Sequence, residues 1–319
     1  MLKLRVSAIR YEAQGIYAFD LVDPGGAPLP AFEAGAHLDI RTPGGVNRRY
    51  SLCNAPGSTD RYCIAVLRVP DSRGGSRAMH EQVRPGDLLE VAGVHNYFPL
   101  REDAGHSLLL AGGIGITPLL AMAERLRALG RPYTLHYCTQ SPERTAFARY
   151  LADDQWRGRV FLHHDGGNPA NGLDLGQLLA RRPDDGQLYF CGPPGFMRAV
   201  QAACAHWPAE AVHSEHFGAD LAPAPPPPPA ADSAPASLTL RRSERSVPVA
   251  PGQTILQALR GAGVACNSSC EAGLCGECRL HYLSGLIEHN DYLLSDEERA
   301  DSVLICCARV REGAVVLDI

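Results

Sequence analysis

Short runs in which polar and apolar residues alternate occupy the first third of the chain. Clusters of glycine and proline, such as Asp23–Gly26 and Arg84–Asp87, separate these runs. A period of two with frequent turns predicts short antiparallel strands that close into a small β-barrel. The predicted strands are Leu4–Arg10, Ile16–Val22, His37–Arg41, Arg49–Cys53, Cys63–Val69 and Leu88–Val91.

From His106 onward, apolar strand-like runs alternate with amphipathic helical runs. This alternation is typical of a doubly wound α/β domain, in which helices cover both faces of a parallel sheet. The predicted strands are Ser107–Ala111, Tyr133–Thr139, Val160–His163 and Leu188–Cys191. The predicted helices are Pro118–Leu129, Pro142–Leu151, Leu173–Ala180 and Pro194–His206.

A proline- and alanine-rich segment then interrupts the pattern of strands and helices. Such a composition cannot form a packed core and is typical of an extended, semi-rigid spacer. We therefore expect a multidomain protein with four parts. They are a barrel at 1–104, an α/β domain at 105–218, a linker at 219–237 and a small α+β domain at 238–319.

The composition narrows the class of protein. The 319 residues are 45% hydrophobic and 20% charged, with a net charge of −5. These values are ordinary for a globular protein and give no support for nucleic-acid binding. No apolar run reaches membrane-spanning length, and the N-terminus lacks the apolar core of an export signal. We therefore expect a cytoplasmic protein, in which the eleven cysteines serve purposes other than disulfides.

Four of the cysteines form a recognisable ligand pattern. Cys270, Cys275 and Cys278 have the spacing C-x4-C-x2-C, and Cys306 or its neighbour Cys307 follows. This is the plant-type pattern for a [2Fe–2S] cluster, whose iron atoms are held by thiolates. A zinc site would favour paired C-x2-C motifs, and the stretch contains one such pair. Adjacent residues on extended backbone point in opposite directions, so only one of the last two cysteines should face the cluster.

Two glycine-rich turns indicate a nucleotide site. Gly112, Gly113, Gly115 and Thr117 follow the first α/β strand and open its helix, where backbone N–H groups can bind a pyrophosphate. Cys191-Gly192-Pro193 follows a later strand in the same manner. Each turn alone is also compatible with an ordinary tight turn, in the second case with a buried cysteine.

The barrel carries two further candidate motifs. Alternation on a strand places Arg48 and Tyr50 on one face, and Arg49 and Ser51 on the other. An arginine can neutralise a phosphate, a tyrosine ring can stack on a flavin, and a serine hydroxyl can reach a ring nitrogen. The turn 72–77 favours anions, with Ser76 as the predicted N-cap of a short helix. Without context, the first motif is better explained as an ordinary amphipathic strand, and the second fits a polar loop as well as it fits an anion site.

Together, Arg48-x-Tyr50-Ser51, the run 112–118 and Cys191-Gly192-Pro193 resemble the ferredoxin–NADP reductase superfamily. With the C-terminal cluster domain, the chain resembles the phthalate dioxygenase reductase and vanillate O-demethylase reductase group from end to end, including the domain order. The resemblance implies FMN, NADH and a β-grasp-like ferredoxin domain. It also implies transfer of single electrons to a terminal Rieske-type oxygenase.

The resemblance assigns roles to individual residues. Ser51, Cys191 and Glu215 would line the hydride-transfer site, with Ser51 near the flavin N5 and Cys191 beside the nicotinamide. In the family, the fourth cluster ligand precedes a variable residue, a small residue and then Arg or Tyr, a frame that selects Cys306. The remaining cofactor contacts would be Arg48, Tyr50 and Phe217 for the flavin ring system and its phosphate, Arg73, Gly74, Gly75 and Ser76 for the FMN phosphate, and Gly112, Gly113, Gly115 and Thr117 for the dinucleotide.

Three alternatives stay open at this point. The same electron path could serve a cytochrome P450 or another acceptor. The chain could instead be a redox sensor without turnover. NADPH could replace NADH, because Arg144 follows the second α/β strand, where a 2′-phosphate would require a cation.

Overall fold

The computed structural model describes residues 2–70, 74–217, 236–268, 273, 276, 278–291, 294–295 and 297–319. The chain divides into two compact units between Phe217 and Gly218. Arg73, Cys270, Cys275 and positions 219–235 of the predicted linker lie outside the described residues. Positions 236 and 237, which the sequence assigned to the linker, belong instead to the first strand of the second unit.

An antiparallel barrel forms the first part of the first unit, as predicted. Its strands are β1 (Leu2–Ala13), β2 (Ile16–Val22), β3 (Ala36–Arg41), β4 (Asn47–Ser51), β5 (Tyr62–Leu67) and β6 (Leu88–Asn96), with helix α1 (Gly75–Gln82) after β5. The strand order is β4-β3-β6-β1-β2-β5. An antiparallel bridge between Leu52, just after β4, and Ile64, within β5, connects the two outer strands and closes the barrel.

A parallel sheet forms the second part of the first unit. Its strands are β7 (His106–Gly112), β8 (Tyr133–Thr139), β9 (Val160–His164), β10 (Gly186–Gly192) and β11 (Val212–His216). The helices are α2 (Ile116–Ala128), α3 (Ala148–Leu151), α4 (Leu175–Leu179) and α5 (Pro194–Ala203). The strand order is β11-β10-β7-β8-β9, so the direction of winding reverses between β7 and β10. Ligands of open α/β sheets bind outside the carboxyl ends of the strands at such a reversal.

One predicted helix is wrong. The sequence predicted a helix over Pro142–Leu151, but only Ala148–Leu151 is α-helical, and the first residues form a 3-10 turn. Phe147 interrupts the helix with a φ of 59°. The backbone N–H of Ala146 donates to the Tyr137 hydroxyl at 3.2 Å, which ties this part of the segment to β8. A contact that is distant in sequence therefore overrides the local helical pattern.

The second unit is a small mixed sheet with one helix. Its elements are β12 (Ala236–Leu240), β13 (Arg245–Val249), α6 (Ile255–Gly261), β14 (Arg279–Glu288), β15 (Ser302–Leu304) and β16 (Arg309–Leu317). The strand order is β13-β12-β16-β14-β15, with β12 and β16 parallel and the other neighbours antiparallel. A capping box between Thr254 and Gln257 begins α6. This arrangement fits the predicted β-grasp-like α+β domain.

Within the described ranges, no helix has both the length and the apolar character that a membrane crossing requires.

Candidate functional site

The carboxyl ends of β7 and β10 approach each other closely where the winding reverses. A Cβ on Gly192 would lie 2.7 Å from the Phe196 ring and 3.0 Å from the Cα of Gly112. A Cβ on Gly112 would lie 2.9 Å from Pro193. Side chains other than hydrogen do not fit at these two strand ends. The glycines of both predicted turns therefore meet at one place, where a dinucleotide is expected in this topology.

Gly115 brings the first turn of α2 against β10. A Cβ on Gly115 would lie 2.2 Å from the carbonyl oxygen of Cys191. The amino end of the 13-residue helix α2 therefore lies beside the end of β10, where its N–H groups and dipole favour an anion. The hydroxyl of Thr117 is buried and donates to the carbonyl oxygen of Ile114 at 3.1 Å. Thr117 thus stabilises this turn through its side chain.

Arg48 and the start of α1 form the predicted anion site of the barrel. A Cβ on Gly75 would lie 2.8 Å from Cγ and 2.9 Å from Nε of Arg48, so the guanidinium stem crosses the first turn of the helix. The N-cap is Gly74, with a φ of 99°, and not Ser76 as predicted. The Ser76 hydroxyl instead accepts a hydrogen bond from the Val69 N–H at 3.2 Å. Helical N–H groups beside an arginine fit a phosphate group.

Tyr50 lies on the same face of β4 as Arg48 and packs against the barrel core. Its hydroxyl oxygen is buried and has no hydrogen-bond partner among the described residues. Burial raises the pKa of Tyr50 above its usual range, so the phenol stays protonated. An unpaired phenol beside an anion site fits a bound aromatic group that carries polar atoms, such as a flavin.

Ser51 and Glu215 connect the barrel to the parallel sheet. The Ser51 hydroxyl donates to Oε2 of Glu215 at 3.1 Å. Burial raises the pKa of Glu215 to about 7, and the hydrogen bond from Ser51 opposes this shift. Glu215 can therefore hold or release a proton near neutral pH. The contact places a hydroxyl of β4 and a carboxyl of β11 at the same site.

Cys191 lies directly opposite Glu215 in the register of β10 and β11. Its side chain is fully buried, and burial together with the Glu215 charge raises the pKa of the thiol well above its usual value. A protonated, buried thiol is a poor nucleophile, which favours a role in positioning. Phe217 immediately follows β11 and packs against the core cluster that contains Cys191. The structure thus brings Ser51, Cys191 and Glu215 close together, and their role in hydride transfer stays a prediction.

His37 is a site residue that the sequence reasoning missed. It lies directly opposite Ser51 in the register of β3 and β4 and is 2% exposed. Neither ring nitrogen has a hydrogen-bond partner among the described residues. Burial, with the charges of Arg49 and His95, lowers its pKa to about 3, so the imidazole is neutral. Its position opposite Ser51 depends on the register of the assembled sheet, so no local sequence signal reveals it.

Two of the four predicted cluster ligands lie within the described residues. Cys278 and Cys306 are both buried, and the N–H of Ile305 donates to the carbonyl oxygen of Cys278 at 3.3 Å. This bond holds the two ligand segments side by side. Gly276, between the ligand positions, has a φ of 74°, a conformation that suits glycine.

Cys306 and Cys307 lie in a turn after β15, and not on extended backbone as the sequence argument assumed. The Cys307 thiol donates to the carbonyl oxygen of Leu304 at 3.4 Å. A Cβ on Gly273 would lie 2.6 Å from the Cys307 sulfur, so the Gly273 backbone packs directly on this thiol. Cys307 is therefore engaged in packing, which supports Cys306 as the ligand.

Known proteins are similar to this chain over both of its units. The family model described as a 2Fe-2S iron-sulfur cluster binding domain matches residues 238–311. The reductase subunit of a tert-butanol monooxygenase / tert-amyl alcohol desaturase from Aquincola tertiaricarbonis is 47% identical, covering 100% of this chain and 96% of the relative. A phthalate dioxygenase reductase from Burkholderia cepacia is 40% identical, covering 100% and 97% of the two chains.

Solved structures show the same arrangement of elements. The structure of a phthalate dioxygenase reductase matches with a TM-score of 0.78 at 40% identity, covering 100% of this chain and 98% of that chain. An intact type IV self-sufficient cytochrome P450 monooxygenase matches with a TM-score of 0.79 at 36% identity, covering 100% of this chain but 41% of that chain.

The fold and the site define an oxidoreductase with a flavin- and nucleotide-binding unit and a [2Fe–2S] ferredoxin unit. The chain belongs to the phthalate dioxygenase reductase family, with relatives that match over its full length.

The packing of Gly115 on β10 leads to a first prediction. In G115A, the new Cβ would collide with the backbone of Cys191, and we expect a loss of about 3 kcal/mol of unfolding free energy together with weaker NADH binding. The matched control is G195A in α5, where no atom lies within 4 Å of the added Cβ. G195A should change stability by less than about 1 kcal/mol. Denaturant unfolding and NADH titration of both variants test this, and equal behaviour would contradict the packing argument.

The raised pKa of Glu215 leads to a second prediction. Between its ordinary value of 4.5 and about 7, the carboxyl ionises in the unfolded chain but stays protonated in the folded chain. The stability that the protonated Glu215 contributes is therefore lost as the pH rises through this window. Glutamine does not titrate, so E215Q should gain about 2 kcal/mol relative to the native protein between about pH 5 and pH 8.

The control for this measurement is E210Q, which changes an exposed glutamate shortly before the same strand. Its stability difference from the native protein should not vary with pH over the same window. Urea unfolding at a series of pH values gives both curves. Parallel curves for E215Q and E210Q would refute a buried, titrating Glu215.

Proposed function

We propose that this protein is the NADH-dependent reductase component of a terminal Rieske-type oxygenase in the cytoplasm. Electrons would pass from NADH to FMN, then to the [2Fe–2S] cluster, and then to the oxygenase. The main support is the full-length match to oxygenase reductases. The Ser51–Glu215 contact and the match of the cluster domain are in keeping with it.

FMN, when bound, supplies the step from a two-electron hydride donor to one-electron transfer. The residues of this chain position it. Arg48 and the amino end of α1 would bind the phosphate, and Tyr50 would lie against the ring system, with its hydroxyl paired to a polar atom. Ser51 would donate to the ring nitrogen at the hydride-accepting position, at the cost of its bond to Glu215.

Glu215 and Cys191 would line the nicotinamide side of the same site. Cys191 is protonated and buried at the end of β10, so it would limit the positions that the nicotinamide ring can adopt. Glu215 would keep its carboxyl proton below about pH 7 and lose it above that value. The glycines at the ends of β7 and β10 would leave room for the pyrophosphate.

NADH is proposed over NADPH because of the family to which the chain belongs. Arg144 is exposed and lies in the turn after β8, so it is the residue that would bind a 2′-phosphate. Turnover with each nucleotide, for the native protein and for R144A, decides the matter. A preference for NADPH that R144A abolishes would overturn the proposal of NADH.

A cytochrome P450 is the second candidate acceptor. The match to a self-sufficient P450 monooxygenase, at 36% identity over this whole chain, is the observation that favours it. Reconstitution with a Rieske-type oxygenase and with a P450 separates the candidates, because productive coupling gives substrate oxidation in proportion to NADH consumed. A non-catalytic redox sensor is disfavoured because the relatives that match this chain over its full length are named as reductases of oxygenase systems.

Arg48 and Arg49 lie on opposite faces of β4, and this leads to a third prediction. R48A should weaken FMN binding by about 2 kcal/mol, or roughly thirtyfold, because a charge-assisted contact to the phosphate is lost. Riboflavin has no phosphate, so its affinity should change little. The control is R49A, since Arg49 pairs with Asp39 at 3.2 Å on the other face of the strand.

Fluorescence titration of the apoprotein with FMN and with riboflavin measures the effect. R49A should leave the ratio of the two affinities unchanged. If the ratio of FMN affinity to riboflavin affinity fell in R49A but not in R48A, the phosphate would lie on the Arg49 face of the strand, and the prediction would be wrong.

The proposed order of cofactors leads to a fourth prediction. C275S should lose the cluster absorbance and the reduction of cytochrome c, because a plant-type cluster needs all its thiolates. Reduction of ferricyanide by NADH should persist, since flavin alone can reduce this acceptor. The matched control is C266S, a cysteine outside the ligand spacing, which should retain both activities. Equal loss of both activities in C275S would contradict the proposed order.

A further inference from the structure

Two thiols lie in contact at the seam of the barrel, apart from the cofactor residues. The sulfur atoms of Cys53 and Cys63 are 3.4 Å apart, with the Cys53 thiol donating to Cys63. The Cys53 N–H also donates to the carbonyl oxygen of Cys63 at 2.9 Å. Both residues immediately adjoin the Leu52–Ile64 bridge that closes the barrel. They therefore face each other across two neighbouring chain segments.

The environment distinguishes the two sulfur atoms. Nη2 of Arg10 lies 3.5 Å from the Cys63 sulfur, so a guanidinium cation accompanies this sulfur. The hydrogen bond to Cys63 and burial both raise the pKa of the Cys53 thiol. Arg10 also pairs with Asp20 and Glu12, which fixes its position. The cation therefore marks Cys63 as the sulfur that reacts first, and the Cys53 sulfur lies in contact with it.

Burial of the pair favours a small oxidant. Cys53 and Cys63 are 3% and 4% exposed, whereas the neighbouring Arg10 side chain is 42% exposed. A pair so nearly buried suits a molecule of the size of hydrogen peroxide better than a bulky disulfide such as glutathione disulfide.

We propose that Cys53 and Cys63 form an oxidisable thiol pair that hydrogen peroxide, or another small hydroperoxide, converts to an intrachain disulfide. The Cys63 thiolate attacks a peroxide oxygen, the O–O bond breaks, and a sulfenic acid and hydroxide form. The Cys53 sulfur then attacks the Cys63 sulfur, the S–O bond breaks, and water leaves with the Cys53 proton. In sum, two thiols and one hydrogen peroxide give one disulfide and two waters.

The backbone geometry permits this bond. Residues opposite each other in antiparallel pairs have Cα atoms about 4.5–5.5 Å apart, within the range of about 4.4–6.8 Å found for disulfides. The bond would covalently join the two segments of the seam just after Ser51. This site depends on neither the identity of the electron acceptor nor the order of the cofactors.

Peptide mapping of the full-length holoprotein tests the proposal. The protein is treated with limiting hydrogen peroxide while the cluster absorbance is followed, and remaining thiols are alkylated in denaturant before digestion. Trypsin places Cys53 in peptide 50–61 and Cys63 in peptide 62–68, with no other cysteine in either peptide. Oxidation should yield these two peptides as one linked species, and dithiothreitol should return them to the free form.

Two variants serve as comparisons. C63V should yield no linked species and leave Cys53 alkylated after treatment. C204A should behave like the native protein, because the buried Cys204 thiol donates to the carbonyl oxygen of Gln201 and not to a second thiol. The thermal midpoint should rise on oxidation in the native protein and in C204A, but not in C63V.

The native protein decides the question even where C63V fails to fold. Recovery of both peptides in alkylated form after treatment would overturn the proposal. Recovery of Cys63 as sulfinic acid would overturn the resolving role of Cys53. A link from either cysteine to a third one would also overturn it.

Discussion

The site depends on one hydrogen bond, from the Ser51 hydroxyl to the Glu215 carboxyl, and on the core that holds its two ends. One buried cluster contains barrel residues such as Phe98 and sheet residues such as Tyr189 and Cys191. Because the barrel and the parallel sheet share this core, β4 and β11 are held at hydrogen-bonding distance. This position removes the Glu215 carboxyl from water, which raises its pKa to about 7. The hydrogen bond from the Ser51 hydroxyl offsets part of this rise.

Much of the fold could be predicted because strand and helix periodicity is a local property. The barrel strands, the parallel strands and the glycine turns all follow from patterns a few residues long. The segment Pro142–Leu151 shows the limit of this reasoning. Its composition favours a helix, but the bond from Ala146 to the Tyr137 hydroxyl joins it to another strand. No local pattern contains that information.

The candidate site shows the same division between local and distant effects. Alternation alone placed Arg48 and Tyr50 on one face of a strand, and the contact with Gly75 agrees with that placement. The sequence pattern does not predict His37 as a site residue, because its burial and the lack of hydrogen-bond partners for its ring among the described residues come from the register of β3 with β4. The sequence argument treats Cys306 and Cys307 as extended backbone, whereas both lie in a turn, so strand alternation does not decide which way their side chains point. Register and turn type both depend on the assembled sheet.

Burial keeps most of the titratable groups at the candidate site electrically neutral. It raises the pKa of the Tyr50 phenol and of the Cys191 thiol, and it lowers the pKa of His37 to about 3. All three are therefore uncharged near neutral pH, and the cation Arg48 lies beside α1, where a phosphate is expected. Glu215, with a pKa of about 7, is then the one member of this set whose charge changes under physiological conditions. Its proton therefore controls the electrostatic potential at the place where a nicotinamide would gain or lose a positive charge.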